Sequence, residues 1–158
     1  AFAAYHALES LPMPVVAVVH GAALGSGVEI AAACDFIVAT PDAAFGTPEA
    51  MRGTLGATQR LPRVLGKRLA KDLMFTGRRL TAAEARAAGF VSRIVTVAEL
   101  EQELATIAHA VAAASPEAIR SAKQCIDRGV ELDPQGALGL ELMAIEAQLA
   151  SGKGMGKP

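Results

Sequence analysis

The chain has two cysteines, no tryptophan, and aromatic residues at only 4% of its 158 positions. Cys34 and Cys125 stand far apart and match neither a zinc nor a redox spacing. That excludes a disulfide framework and leads us to expect a reducing compartment with buried thiols. Neither sign of charge dominates: the net charge is -1 and the pI is about 6.4. No broad basic field is therefore present to attract nucleic acid or an anionic membrane. Long apolar runs are also missing, because His20, Glu29 and Asp35 interrupt them, so no membrane span is expected. The first residues carry neither a basic segment nor a cleavage pattern, so no signal peptide is read there, and with no initiating Met the chain reads as a possible fragment. His6, His20 and His109 have no metal-ligand spacing and are read as structural or surface groups, with no metal site expected.

What is present is apolar bulk. Hydrophobic residues make up 52% of the chain, and the mean hydropathy is +0.34. The length suffices for one core. Alanine-rich surfaces of this kind are expected to be covered by neighbouring subunits.

The stretch from Val15 to Gly53 organises the rest. Val15 to Val19 is continuously apolar and β-branched, the pattern of a strand covered on both faces. Gly21 to Gly27 reads as a glycine-rich turn that permits positive φ and close backbone approach. A helix opens around Val28-Glu29 and is apolar almost all round, so it is expected to be buried. Asp35 to Thr40 is a second strand. Thr47 is expected to cap a helix whose first residues are Pro48 and Glu49.

Gly25-Ser26-Gly27 before a helix is a candidate oxyanion site, since the first helical amides point outward and the dipole favours negative charge. Three familiar motifs do not fit. A dinucleotide fingerprint from Gly25 would need glycine where Ile30 stands, and no phosphate-loop Gly-Lys-Ser/Thr occurs. A nucleophile elbow around Ser26 would need glycine at Leu24 and Val28. Ser26 is thus read for its backbone amide. Glu29 and Glu49 are each compatible with a first-turn surface carboxylate, but two carboxylates near exposed amides also suit acid–base chemistry beside a negatively charged oxygen. A buried Glu29 would need a partner or a task.

Further along, Arg60, Arg63, Lys67 and Arg68 form a basic cluster, read as a solvated face with a ligand phosphate as the alternative. A helix spans Leu69 to Phe75 and ends at Gly77. Thr81 to Glu84 is a capping box opening a helix that Gly89 closes. Val91 to Val97 reads as a last strand. Helices follow over Val97 to Ala114, from Ser115-Pro116-Glu117, and over Pro134 to Ala150. The organisation expected is a core with the active-site turns over 1–96, a helical region serving oligomerisation over 97–150, and a disordered tail over 151–158.

Gly21 to Glu29 followed by Cys34-Asp35 resembles the crotonase (enoyl-CoA hydratase/isomerase) superfamily. So do Phe45-Gly46-Thr47-Pro48-Glu49, Thr58 to Leu61, Phe75 to Leu80 and Ala85 to Val91, in the family's order. The stretches Gln59 to Arg63 and Phe75 to Leu80 look most like the branch containing methylglutaconyl-CoA hydratase. The resemblance implies an α/β fold, the ClpP/crotonase spiral of β-β-α units with a helical C-terminal region, and trimers or dimers of trimers. It implies acyl-CoA thioesters as substrate, no separate cofactor, and neither nucleic acid nor membrane as partner. It further implies a cytoplasmic protein, or a mitochondrial-matrix one in a eukaryote. By motif, Ser26 would supply an oxyanion amide, with Gly25 and Gly46 in the substrate-binding turns. Glu29 and Glu49 match the glutamate pair of the hydratases, which add water to a trans-2-enoyl-CoA to give a 3-hydroxyacyl-CoA. An isomerase or other family enzyme using one acid, and an inactive acyl-CoA-binding subunit, stay open as alternatives.

The sequence departs from the family at three places. The family's N-terminal Ala-Gly-Ala-Asp-type turn, source of the other oxyanion amide, is not in this sequence. The loop from Gly53 to Thr58 is a few residues short. The Asp-x-x-Glu-Gly ending is absent after Ala150.

Overall fold

The structure is a computed structural model and describes residues 2–152. The expected disorder of the tail falls, from residue 153 on, outside the described residues. By contact the chain divides into two units. One is built on Val15–Leu104 with the N-terminal Ala1–Leu11, the other on the chain from Ala105 onward with Pro12–Pro14.

The first unit begins with helix α1 (Phe2–Glu9), then strands β1 (Val16–Val19) and β2 (Ala22–Leu24) and helix α2 (Ser26–Ala33). Strands β3 (Phe36–Ala39) and β4 (Ala44–Gly46) follow, then a 3-10 turn over Ala50–Arg52 and helices α3 (Arg60–Leu65) and α4 (Lys67–Thr76). The short strand β5 (Leu80–Thr81), helix α5 (Ala82–Ala87) and strand β6 (Arg93–Ile94) complete it.

A β-β-α rhythm sets the topology. The first strand of each turn enters one sheet, of order β1-β3-β6, and the second enters another, of order β2-β4-β5. Val16 pairs with Phe36 in parallel, and Ala22 pairs with Ala44 in parallel, so one turn of the spiral lies on the next. The corner between the sheets is drawn by Gly21, at φ 67°. Asp42, at the matching corner of the next turn, accepts from the Gly21 amide at 3.1 Å and from the Thr40 hydroxyl at 2.5 Å.

Three expectations change here. Residues 21–27 are not one glycine turn, because Ala22–Leu24 finds a parallel partner in Ala44–Gly46. The first strand is not covered on both faces: Val18 is 38% exposed. The last strand shrinks to Arg93–Ile94, extended only by the Ser92 and Val95 amides, which donate to Ile37 and Ala39.

The core lies between the sheets and α2 to α5. Phe45 and Phe90 meet edge to face at 5.3 Å, with Val28, Ile37, Leu61, Leu73 and Leu80 buried around them. The capping box of α5 forms as expected: the Thr81 side chain accepts from the Glu84 amide, and Glu84 accepts from the Thr81 amide. Gly77 ends α4 in a left-handed conformation.

Helix α6 (Val97–Ala113) begins in the first unit and continues, from Ala105, in the second; it leads to α7 (Pro116–Gly129), capped by Ser115. Asp133 caps α8 (Pro134–Ala150) by accepting from the Gln135 and Gly136 amides. Leu138, Leu142, Ile145 and Leu149 of α8 are all exposed and lie on one helical face by their spacing. The thiols are less buried than expected: Cys34 and Cys125 are both half-buried. Among the described residues, no helix is long and apolar enough to cross a membrane.

Candidate active site

The site grows out of the ends of β2 and β4. At the end of β2 the chain must turn sharply into α2, and Gly25 does so with φ 55° and ψ -119°, a conformation open in practice to glycine alone. The Gly25 amide donates to the Gly46 carbonyl at 2.9 Å, and its own carbonyl accepts from the Val28 and Glu29 amides. Gly25 and Gly46 therefore hold each other and fix the entry of α2. Ser26 and Gly27 follow as its first residues. Their amides precede the first acceptor that an α-helix can offer, so the helix itself leaves them without a partner. Ser26 as a residue is exposed.

Glu29 lies one turn further along α2 and is 8% exposed. The helix is not buried all round as expected, because Ile30 on the other face is 46% exposed. Glu29 nevertheless points inward, where its Oε1 accepts from the Ala57 amide at 3.1 Å. That bond supplies the partner that a buried carboxylate requires.

Glu49 arrives from the other side, after β4. Thr47 does not cap a helix: it is 1% exposed, its hydroxyl has no hydrogen-bond partner, and the helical turn starts only at Ala50. The buried end of β4 draws Thr47 inward, and Pro48 then turns the chain so that Glu49 itself opens the 3-10 turn. Its carboxyl group sits in a slot between two glycines. A Cβ placed on Gly25 would stand 2.6 Å from Glu49 Oε1, and one placed on Gly56 would stand 3.1 Å from the same oxygen. Glu49 Oε2 is buried and has no hydrogen-bond partner.

The dipeptide Gly56-Ala57 thus touches both acids: Glu49 lies against Gly56, and Glu29 is bonded to Ala57. Ala57 is the one described non-glycine residue at positive φ, 57°, and it is 4% exposed. Backbone strain of this kind is tolerated where the surroundings fix it, and it gathers at functional sites. Sequence reasoning missed Gly56, Ala57 and the Thr47 hydroxyl. Gly56 stood in the sequence as a signal of close approach, whereas the left-handed turn at an alanine left none.

The basic cluster divides. Arg60 pairs with Glu9 at 2.8 Å and lies over the Tyr5 ring at 5.3 Å, tying α3 to α1. Arg63 and Lys67 instead border a groove of about 520 Å³ between α3 and α4, with Lys71, Met74 and Phe75. Among the described residues, no three His, Cys, Asp or Glu side chains are grouped to hold a metal ion.

Comparison with known proteins gives one family. Its sequence model, described as enoyl-CoA hydratase/isomerase, matches residues 1–155. The short-chain-enoyl-CoA hydratase of Clostridium acetobutylicum is 41% identical over 140 residues, covering 87% of this chain and 54% of that protein. The human enoyl-CoA hydratase domain-containing protein 2, mitochondrial, is 42% identical over 143 residues, covering 86% of this chain and 49% of that protein. A crystal structure of enoyl-CoA hydratase from Bacillus anthracis superposes with a TM-score of 0.90 at 38% identity, covering 94% of this chain and 58% of that one. The chain thus spans about half the length of the relatives it matches. The sheet pairings, the turn at Gly25 and these matches agree: the chain belongs to the enoyl-CoA hydratase/isomerase family and has the crotonase fold.

Proposed function

We propose that this chain carries the catalytic centre of an enoyl-CoA hydratase, adding water across the double bond of a trans-2-enoyl-CoA. The observation that carries this reading is the approach of Glu29 and Glu49, from separate turns of the spiral, to the same dipeptide Gly56-Ala57. Two acids at one place, beside the first amides of α2, are what conjugate addition of water requires.

In this reading the Ser26 amide donates a hydrogen bond to the thioester oxygen as negative charge develops on it. Glu29, its orientation fixed by the Ala57 amide, takes a proton from water as the oxygen attacks C3. Glu49 delivers a proton to C2. The water's oxygen and one hydrogen end on C3; Glu29 is left protonated and Glu49 ionised, and passage of one proton from Glu29 to Glu49 restores both acids, giving a 3-hydroxyacyl-CoA without any further cofactor. An acyl-CoA partner fits a relative from Thermobifida fusca, 27% identical with a TM-score of 0.88, solved in complex with acetoacetyl-CoA. The exposed apolar face of α8 supports assembly into homotrimers or dimers of trimers. The compartment we propose is the cytoplasm, or the mitochondrial matrix in a eukaryote.

Loss of 2-enoyl absorbance on adding crotonyl-CoA tests the reading, with Glu29→Gln/Glu49→Gln as the control. Full activity in the double variant excludes it. A one-acid isomerase is the second reading, favoured by the contrast between Glu29, bonded to the Ala57 amide, and Glu49, whose buried Oε2 has no protein partner. Turnover of a 3-enoyl-CoA while the 2-enoyl-CoA stays inert would select it.

A further inference from the structure

We infer that Thr47 is a positioning residue for Glu49, its hydroxyl holding Glu49 Oε2 through one shared water. The inference rests on the hydration reading in one respect, that Glu49 has a proton to deliver.

Among the described residues, two buried side-chain polar atoms have no hydrogen-bond partner, Thr47 Oγ1 and Glu49 Oε2. Both lie on one turn, two residues apart, with Pro48 between them. Pro48 has no N–H to give, and the Glu49 carbonyl already accepts from the Arg52 and Thr54 amides. Thr47 is 1% exposed, so bulk solvent does not reach its hydroxyl.

Buried polar atoms are satisfied by protein or by ordered water, and each exception needs a physical account. A single water needs at least two polar partners, and these two atoms supply them. A carboxyl group that carries a proton and a hydroxyl can each donate and accept, as a water does. The water therefore bridges Glu49 Oε2 and the Thr47 hydroxyl. Gly25 and Gly56 wall the opposite oxygen, Oε1. With Oε2 held by the water and Oε1 confined by the glycines, the carboxyl plane cannot rotate. That is the orientation control a proton donor to C2 needs, and it assigns to Thr47 a role that its place in the sequence, just before Pro48, does not reveal.

The test uses Thr47→Val, which keeps the shape and removes the hydroxyl, and Thr47→Ser, which keeps the hydroxyl. Crystals of the whole chain should show one water within hydrogen-bonding distance of residue 47 and of Glu49 Oε2 in the wild type and in Thr47→Ser, and none in Thr47→Val. With crotonyl-CoA, kcat should fall about 10-fold in Thr47→Val, the loss of one hydrogen bond, at unchanged KM, and Thr47→Ser should restore it. Wild-type crystals without that water overturn the inference. So does a Thr47→Val variant of full kcat, or a Thr47→Ser variant as slow as Thr47→Val. If the wild type leaves crotonyl-CoA untouched, the hydration reading falls, and the water in the crystals decides the role of Thr47 alone.

Discussion

A methyl group on Gly25 would stand 2.6 Å from Oε1 of Glu49. The residue that opens α2 and the carboxylate that follows β4 are therefore fitted to each other, although 24 positions separate them in the sequence. The link is made by the sheet. Parallel pairing of Leu24 with Gly46 and the bond from the Gly25 amide to the Gly46 carbonyl bring the two turns level.

Gly25→Ala should consequently fail twice. The backbone conformation, φ 55° and ψ -119°, is strained for any residue with a Cβ, at a cost of about 1–3 kcal/mol. The new methyl would also push the Glu49 carboxyl group aside. Urea unfolding should show the stability loss. Under the hydration reading, activity should fall about 100-fold, as expected when a reacting group is misplaced by roughly 1 Å. A Gly25→Ala variant of native stability and rate would show that the fit is not needed.

The parts of this arrangement legible in the sequence were those with a local cause. Gly77 and the Thr81–Glu84 box punctuate helices by chemistry confined to a few residues, and the strand over Val16–Val19 shows in its β-branched run. The Glu29 and Glu49 positions were legible through a family motif. Ala22–Leu24 could not be read as a strand, because three small residues have no period of their own and are extended only by pairing with β4. Thr47 was misread as a cap since Thr-Pro-Glu is a sound helix start locally, and the burial of β4 overrides it. Ala57 was invisible: its left-handed conformation is imposed by the bonds it makes at both ends, to Glu29 and from Leu61.

Glu29 has a structural duty separable from any chemical one. Glu29→Gln keeps an oxygen to accept from the Ala57 amide, so stability should stay close to that of the wild type while hydration falls about 10²–10⁴-fold. Glu29→Ala leaves that buried amide unsatisfied and should lose a further stability increment of about 1–3 kcal/mol. Chemical denaturation of the two variants side by side checks this. Equal stabilities would mean that the Ala57 bond contributes nothing.

Asp42 at the sheet corner should make part of the stability pH-dependent. Its carboxyl is held below the ordinary value of 3.8, first by the Thr40 hydroxyl and then, against a desolvation push upward, by backbone amides including that of Gly21 and by the charge of His20. A folded value below the unfolded one means a contribution fully present above 3.8 and lost as the pH falls through the lower folded value. The stability gap between wild type and Asp42→Asn, measured by urea unfolding, should be constant near neutrality and close as the pH drops below 3.8. A gap that is the same at neutral and at acid pH would remove the carboxylate from the account.

Ala57 offers the sharpest separation of backbone strain from side-chain packing. At φ 57° an alanine costs about 1–2 kcal/mol relative to a right-handed conformation, and glycine escapes that cost. Ala57→Gly loses a buried methyl, worth about 0.8 kcal/mol, and frees the unfolded chain by about 0.4–1 kcal/mol. The opposing effects are of equal size, so Ala57→Gly should unfold within about 1 kcal/mol of the wild type and keep the bond to Glu29. Ala57→Val has no such compensation, because a β-branched residue is a genuine outlier at positive φ. It should lose about 1–3 kcal/mol and, by moving its amide off Glu29, should lower activity beyond what the lost stability explains. Both variants are measured by urea unfolding with activity in parallel. If Ala57→Gly proves as damaging as Ala57→Val, the methyl and not the backbone conformation is what the site requires at this position.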